Sequence, residues 1–106
     1  MFKRVKHKFG AIATKADGIN FPSRLEAKYF EHLKMMKKSG ELVMFLRQPK
    51  FDLGGGCTYS ADFLEFHKDG TCRVVDCKGV LTKEFIMKKK IVESLYPIEI
   101  EVVKNI

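Results

Sequence analysis

Asp62 and Asp76 lie in two runs, Tyr59 to His67 and Thr71 to Lys78, that are rich in aromatic and β-branched residues and therefore read as strands. Side chains alternate along a strand, so Ser60, Asp62, Leu64 and Phe66 share one face of the first, and Cys72, Val74, Asp76 and Lys78 one face of the second. The turn decides whether those faces coincide. A two-residue turn at Asp69-Gly70 sets Asp62 opposite Cys77 and the two aspartates on opposite faces. A three-residue loop, with Lys68 and Asp69 in a type I turn and Gly70 left-handed in a bulge, pairs His67 with Thr71 and brings Asp62 opposite Asp76. Gly70 suits that position because glycine takes positive φ without steric cost. In this register the two carboxylates stand with Cβ atoms about 5 Å apart among Leu64, Phe66 and Val74. Like charges so placed need a proton or a cation. Mg²⁺ fits the pair, since it usually takes one or two carboxylates plus water and substrate phosphate. Lys78 points the same way as Asp76 and would hold or deprotonate a water, and stabilise the developing phosphorane charge, beside the metal.

The elements that must position these groups are marked in the chain. Ser23, after Pro22 and three residues before Glu26, has the capping-box spacing that opens a helix. Leu25, Tyr29, Leu33 and Met36 form its apolar stripe over Leu25 to Lys38, and Gly40 follows Lys37 and Lys38 as a left-handed stop. Glu26 then has two readings: partner of Ser23 in the cap, or, on the face of Phe30 and Leu33, a carboxylate reaching the cleft of the aspartates. Before this helix, Asp17-Gly18 gives a hairpin turn. After it, Leu42 to Leu46 and Lys50 to Leu53 read as strands separated by Gln48-Pro49, and Gly54-Gly55-Gly56 breaks the chain. Thr82 to Tyr96 reads as a second helix ended by Pro97, and Ile98 to Val103 as a last strand. Hairpin, helix, three strands, helix and strand make an α/β or α+β domain with helices packed on a mixed central sheet.

Twenty Lys and Arg against 13 Asp and Glu leave +7 on 106 residues, which favours a polyanion as partner. One domain spanning residues 1–106 accommodates this length. The longest uncharged run, Leu53 to Ala61, is glycine-rich and far short of the ~18 residues of a membrane helix. Three cysteines at irregular spacing suit a reducing compartment, and no apolar stretch follows the basic N-terminus as in a secretory signal. A cytoplasmic location is expected. Residues 1–10 read as a basic arm through Lys3, Arg4, Lys6 and Lys8, and Gln48, Lys50, Thr82 and Lys83 are further candidates for nucleic-acid phosphates. Zinc held by Cys57, His67, Cys72 and Cys77 is disfavoured, because alternation points Cys72 and Cys77 to opposite faces. Met35, Met36, Met44 and Met87 read as core or interface filler.

A helix glutamate, an aspartate in Tyr59-Ser60-Ala61-Asp62-Phe63, and Val74-Val75-Asp76-Cys77-Lys78-Gly79 before a Lys-rich helix resemble the PD-(D/E)XK nuclease superfamily, with its restriction-endonuclease-like core. More narrowly, Asp17-Gly18-Ile19 through Glu26-Ala27, Gln48-Pro49-Lys50-Phe51, and Asp76-Cys77-Lys78-Gly79 with Thr82 resemble a family of small phage proteins assigned to that superfamily. The likeness runs from Asp17 onward. It implies that Asp62, Asp76 and the backbone carbonyl of Cys77 ligate Mg²⁺ or Mn²⁺, that Glu26 contributes to the metal site, and that Lys78 positions the attacking water. Products would carry 5′-phosphate and 3′-hydroxyl ends. Ala61 departs from the proline frequent at that motif position. The expected function is a Mg²⁺-dependent DNA endonuclease, structure-specific for branched or nicked DNA and acting as a homodimer, in phage recombination or replication within a host cell. The rival reading is a non-catalytic module that holds DNA for a partner enzyme, and an RNA-directed nuclease is the second rival.

Overall fold

A computed structural model describes residues 14–106; the basic arm with Lys3, Arg4, Lys6 and Lys8 lies outside the described residues. Asp17 and Gly18, with φ of 50° and 75°, close a two-residue hairpin between β1 (Thr14–Ala16) and β2 (Ile19–Phe21), the mirror-image turn whose twist matches paired strands. The helix α1 (Arg24–Ser39) begins where the Ser23 side chain accepts the Glu26 N–H at 3.2 Å, and stops at left-handed Gly40. Its buried face, Glu26, Ala27, Phe30 and Leu33, packs with Phe21, Leu42, Phe63, Val75 and Cys77.

A four-stranded sheet carries the site. Its order is β3 (Leu42–Arg47), β6 (Phe63–His67), β7 (Cys72–Cys77) and β8 (Ile100–Val103), with β3, β6 and β7 antiparallel and β8 parallel to β7. A parallel neighbour needs a long crossover, supplied here by α2 (Lys83–Leu95), which the Thr82 side chain caps by accepting the Phe85 N–H at 3.1 Å. A separate antiparallel ribbon, β4 (Lys50–Gly54) with β5 (Cys57–Ser60), packs with α2. Tyr59, Ala61, Val74, Phe85, Val92 and Ile100 form this second core. The fold is thus mixed α+β, two helices with a mixed sheet, compatible with a restriction-endonuclease-like core.

Three expectations are corrected. Tyr59 to His67 is not one strand: the chain bends at Ala61-Asp62, between β5 and β6. The bend lies opposite Gln48-Pro49, where the Gln48 N–H donates to the Asp62 carbonyl at 2.9 Å and the Ala61 N–H to the Pro49 carbonyl at 3.1 Å. Proline has no donor for the ladder, and Gln48 takes the left-handed region at φ 53°, so both arms of a long hairpin turn together. The last strand starts at Ile100 rather than Ile98, because the Ile98 N–H closes a tight turn around Pro97 onto the Tyr96 carbonyl at 2.8 Å. Of the methionines read as core or interface filler, Met36 packs against the core, while Met35, Met44 and Met87 are exposed, which overturns the core half of that reading for these three.

The β6–β7 loop takes the three-residue form. Gly70 has φ 89°, its N–H reaches the His67 carbonyl at 3.0 Å, and the His67 N–H reaches the Thr71 carbonyl at 2.9 Å. Phe63 consequently pairs with Val75, and the next step of the same register is Asp62 level with Asp76. No helix among the described residues is long and apolar enough to cross a membrane.

Candidate active site

The bend is what makes Asp62 available. Its backbone stays tied to the sheet, with its N–H on the Val75 carbonyl at 3.1 Å, while its Oδ2 accepts the Cys77 N–H at 2.7 Å. The carboxyls of Glu26, Asp62 and Asp76 stand close enough to shift one another's ionisation. Glu26, Asp62 and Asp76 therefore form one line, from α1 to β7. Asp76, 1% exposed, accepts the Tyr59 hydroxyl on Oδ2. Its Oδ1 is buried without a hydrogen-bond partner and lies 3.8 Å from Lys78 Nζ. Glu26, 2% exposed, likewise has a buried Oε2 without a hydrogen bond, 3.8 Å from Arg47 Nη2. The Arg47 guanidinium rests over the Phe21 ring at 4.5 Å.

Burial dominates the electrostatics. It raises the carboxyls of Glu26 and Asp62 above their ordinary range, with Asp62 and Arg47 pulling Glu26 back, and the Asp76 and Cys77 hydrogen bonds pulling Asp62 back. Asp76 is pushed up to about 7 by burial first, then by the neighbouring Asp62 carboxyl. Two carboxyls so placed do not both ionise readily unless a proton or a cation neutralises them. Burial also pushes the Cys77 thiol upward. Its side chain belongs to the α1 core, away from the aspartates, and only its backbone reaches the site.

The donor set fits a hard divalent cation. Two buried carboxylate oxygens lack hydrogen-bond donors, and desolvated anionic oxygen without a partner is costly. Among the described residues no three His, Cys, Asp or Glu side chains form a group placed to hold a metal ion by themselves. One or two carboxylates with water and phosphate completing the shell is the Mg²⁺ pattern.

The other expected residues are dispersed. Thr82 and Lys78 line a cleft of about 280 Å³ with Thr58, Ser60 and Lys88. Lys83 is exposed on the first turn of α2, and Gln48 and Lys50 are exposed around the bend, where Gln48 touches Asp62 through its backbone. Sequence reasoning missed Tyr59 and Arg47. In a continuous strand Tyr59 would face away from Asp62, and only the bend swings its hydroxyl to Asp76. It also missed a second buried group, in which the Glu65 carboxylate accepts the Tyr29 hydroxyl at 2.5 Å and meets His67 Nε2 at 2.7 Å.

Fold and site together define a mixed α+β protein with a buried carboxylate line and one lysine at the end of a sheet. Residues 6–104 match the family described as protein of unknown function DUF1064, and the chain belongs to that family. No curated protein matches it.

Proposed function

We propose that the protein is a Mg²⁺-dependent DNA endonuclease of the PD-(D/E)XK type. The observation that carries this reading is buried Asp76 beside half-buried Asp62, with the Asp76 Oδ1 free of hydrogen bonds and 3.8 Å from Lys78 Nζ. Asp62 and Asp76, with the Cys77 carbonyl, would hold the cation, and Glu26 would complete its surroundings. The bound ion would supply Lewis acidity toward a phosphodiester oxygen and lower the pKa of water. Lys78, 39% exposed at its side chain, orients the attacking water. The water oxygen would bond to phosphorus as the bond from phosphorus to O3′ breaks, the attacking water giving one proton to bulk solvent and O3′ taking one from it, which leaves a 5′-phosphate and a 3′-hydroxyl. The hydroxyls and lysines of the adjoining cleft offer contacts to neighbouring phosphates.

A homodimer is part of the proposal, since two sites serve two strands under two-fold symmetry. In its support, α2 and the ribbon cover Val74 and Ile100, whereas Val43, Met44 and Leu46 of edge strand β3 are exposed beside half-buried Leu64 and Phe66. That uncharged face lets two copies of a +7 chain meet without opposing cations. A branched or nicked DNA substrate and a phage setting are the finer parts of the reading.

The test is cleavage of labelled duplex, single-stranded, nicked and four-way-junction DNA, and of RNA, with Mg²⁺ or Mn²⁺. Wild type is compared with Asp76→Ala and Lys78→Ala. Metal-dependent cutting lost in both variants while binding persists supports the nuclease. Tight, salt-sensitive binding without cutting, indifferent to either change, favours the DNA-holding module instead.

A further inference from the structure

Tyr59 takes no part in the chemistry above, yet it is joined to it. Its ring is 5% exposed, with the Phe51 and Phe85 ring centroids each 6.4 Å away. Its hydroxyl donates to Asp76 Oδ2. That bond distinguishes the two oxygens of one carboxylate: Oδ2 is held, while Oδ1 is buried, unpartnered by hydrogen bonds and turned toward Lys78. We propose that Tyr59 is a positioning residue that fixes the Asp76 carboxylate so that Oδ1 is the oxygen presented to a divalent cation.

The inference rests on the metal-dependent reading of the site. Rotation of a carboxylate about its terminal torsion is soft, so a group held at one oxygen loses less freedom when the other binds metal. Hydrogen bonds to ligating carboxylates typically carry 10–100-fold in metal affinity. The clamp comes from the ribbon rather than from the four-stranded sheet. The ribbon is fixed to the end of α2, where the Tyr96 hydroxyl donates to the Asp52 carbonyl at 2.7 Å and the Phe51 and Tyr96 rings meet edge-on at 5.3 Å. Tyr59 thus aims Asp76 from an element anchored independently of the strand that bears it.

Mn²⁺ is the probe, titrated into the whole chain by calorimetry and, in parallel, by the paramagnetic resonance of free Mn²⁺. Four proteins are compared: wild type, Asp76→Asn, Tyr59→Phe and Phe51→Leu. Tyr59→Phe keeps the ring and its contacts and removes only the hydroxyl. Phe51→Leu thins the packing around the same ring and leaves the hydroxyl. Wild type should bind, Asp76→Asn should lose binding, Tyr59→Phe should bind about tenfold more weakly, and Phe51→Leu should stay within twofold. In the Asp76→Asn background Tyr59→Phe should add no further loss. Binding by Tyr59→Phe within twofold of wild type, or an equal loss in Phe51→Leu, overturns the role of Tyr59 and leaves the metal site standing. Wild type that does not bind Mn²⁺, or Asp76→Asn that binds equally, overturns the metal reading and the inference with it.

Discussion

Asp76 is the residue whose ionisation governs both stability and the proposed chemistry. Its folded value near 7 stands above the ordinary 3.8, so the folded state holds a proton that the unfolded state releases. That contribution is complete below the ordinary value and is lost as pH rises through about 7, at a slope of about 1.4 kcal/mol per pH unit for one proton. Denaturant midpoints in EDTA should therefore fall from pH 5 to pH 8, and Asp76→Asn, which removes the like charge, should flatten that fall while abolishing cleavage. Excess Mg²⁺ at pH 8 should restore the midpoint of wild type but not of the variant, by about 2.7 kcal/mol at a hundredfold excess over its dissociation constant. The cysteines separate in the same way. Cys57 and Cys72 are exposed and Cys77 is buried, with its thiol pushed upward, so a thiol reagent should label the first two in the native protein and Cys77 only on unfolding.

Among the elements, the β6–β7 hairpin sets the register on which the pair depends. Gly70 at φ 89° has open space around it, so the cost of Gly70→Ala is conformational: about 1 kcal/mol, or a melting temperature lower by about 4–8 °C. Deleting Lys68 should do something different in kind, since a two-residue loop moves Asp62 opposite Cys77; near-native helix content by circular dichroism with no Mn²⁺ binding is expected. The fold was legible where local chemistry decides it. Asp17-Gly18, Ser23, Gly40, Gly70 and Thr82 each fix a turn or a cap within four residues of themselves. The paired aspartates were legible too, once the loop length was chosen. What escaped were features created by two distant segments acting together. The Ala61-Asp62 bend exists because Gln48-Pro49 interrupts the facing arm, and no pattern within Tyr59 to His67 announces it. Tyr59 and Arg47 followed from that bend and from the packing of β3 under α1, so spacing along a strand could not place them.

The whole molecule is +7, and the proposed dimer would use the exposed apolar strip on β3. Sedimentation equilibrium should show a dimer for wild type and a monomer for Leu46→Lys, which puts a cation into that face, with little change in monomer melting temperature because Leu46 is exposed. A monomeric wild type would remove support for paired cutting. Lys78 is tied back to the sheet through its N–H on the Val103 carbonyl at 2.9 Å, and β7 meets β8 only after α2 has crossed over. Among the described strands, β8 is the last in chain order, so this pairing forms only after the rest of the sheet has been made. Partial chains that lack Ile100 to Val103 would carry Asp62 and Asp76 but not the Val103 carbonyl that holds the Lys78 backbone, so β8, which contributes no side chain to the proposed site, is expected to decide when its lysine is seated.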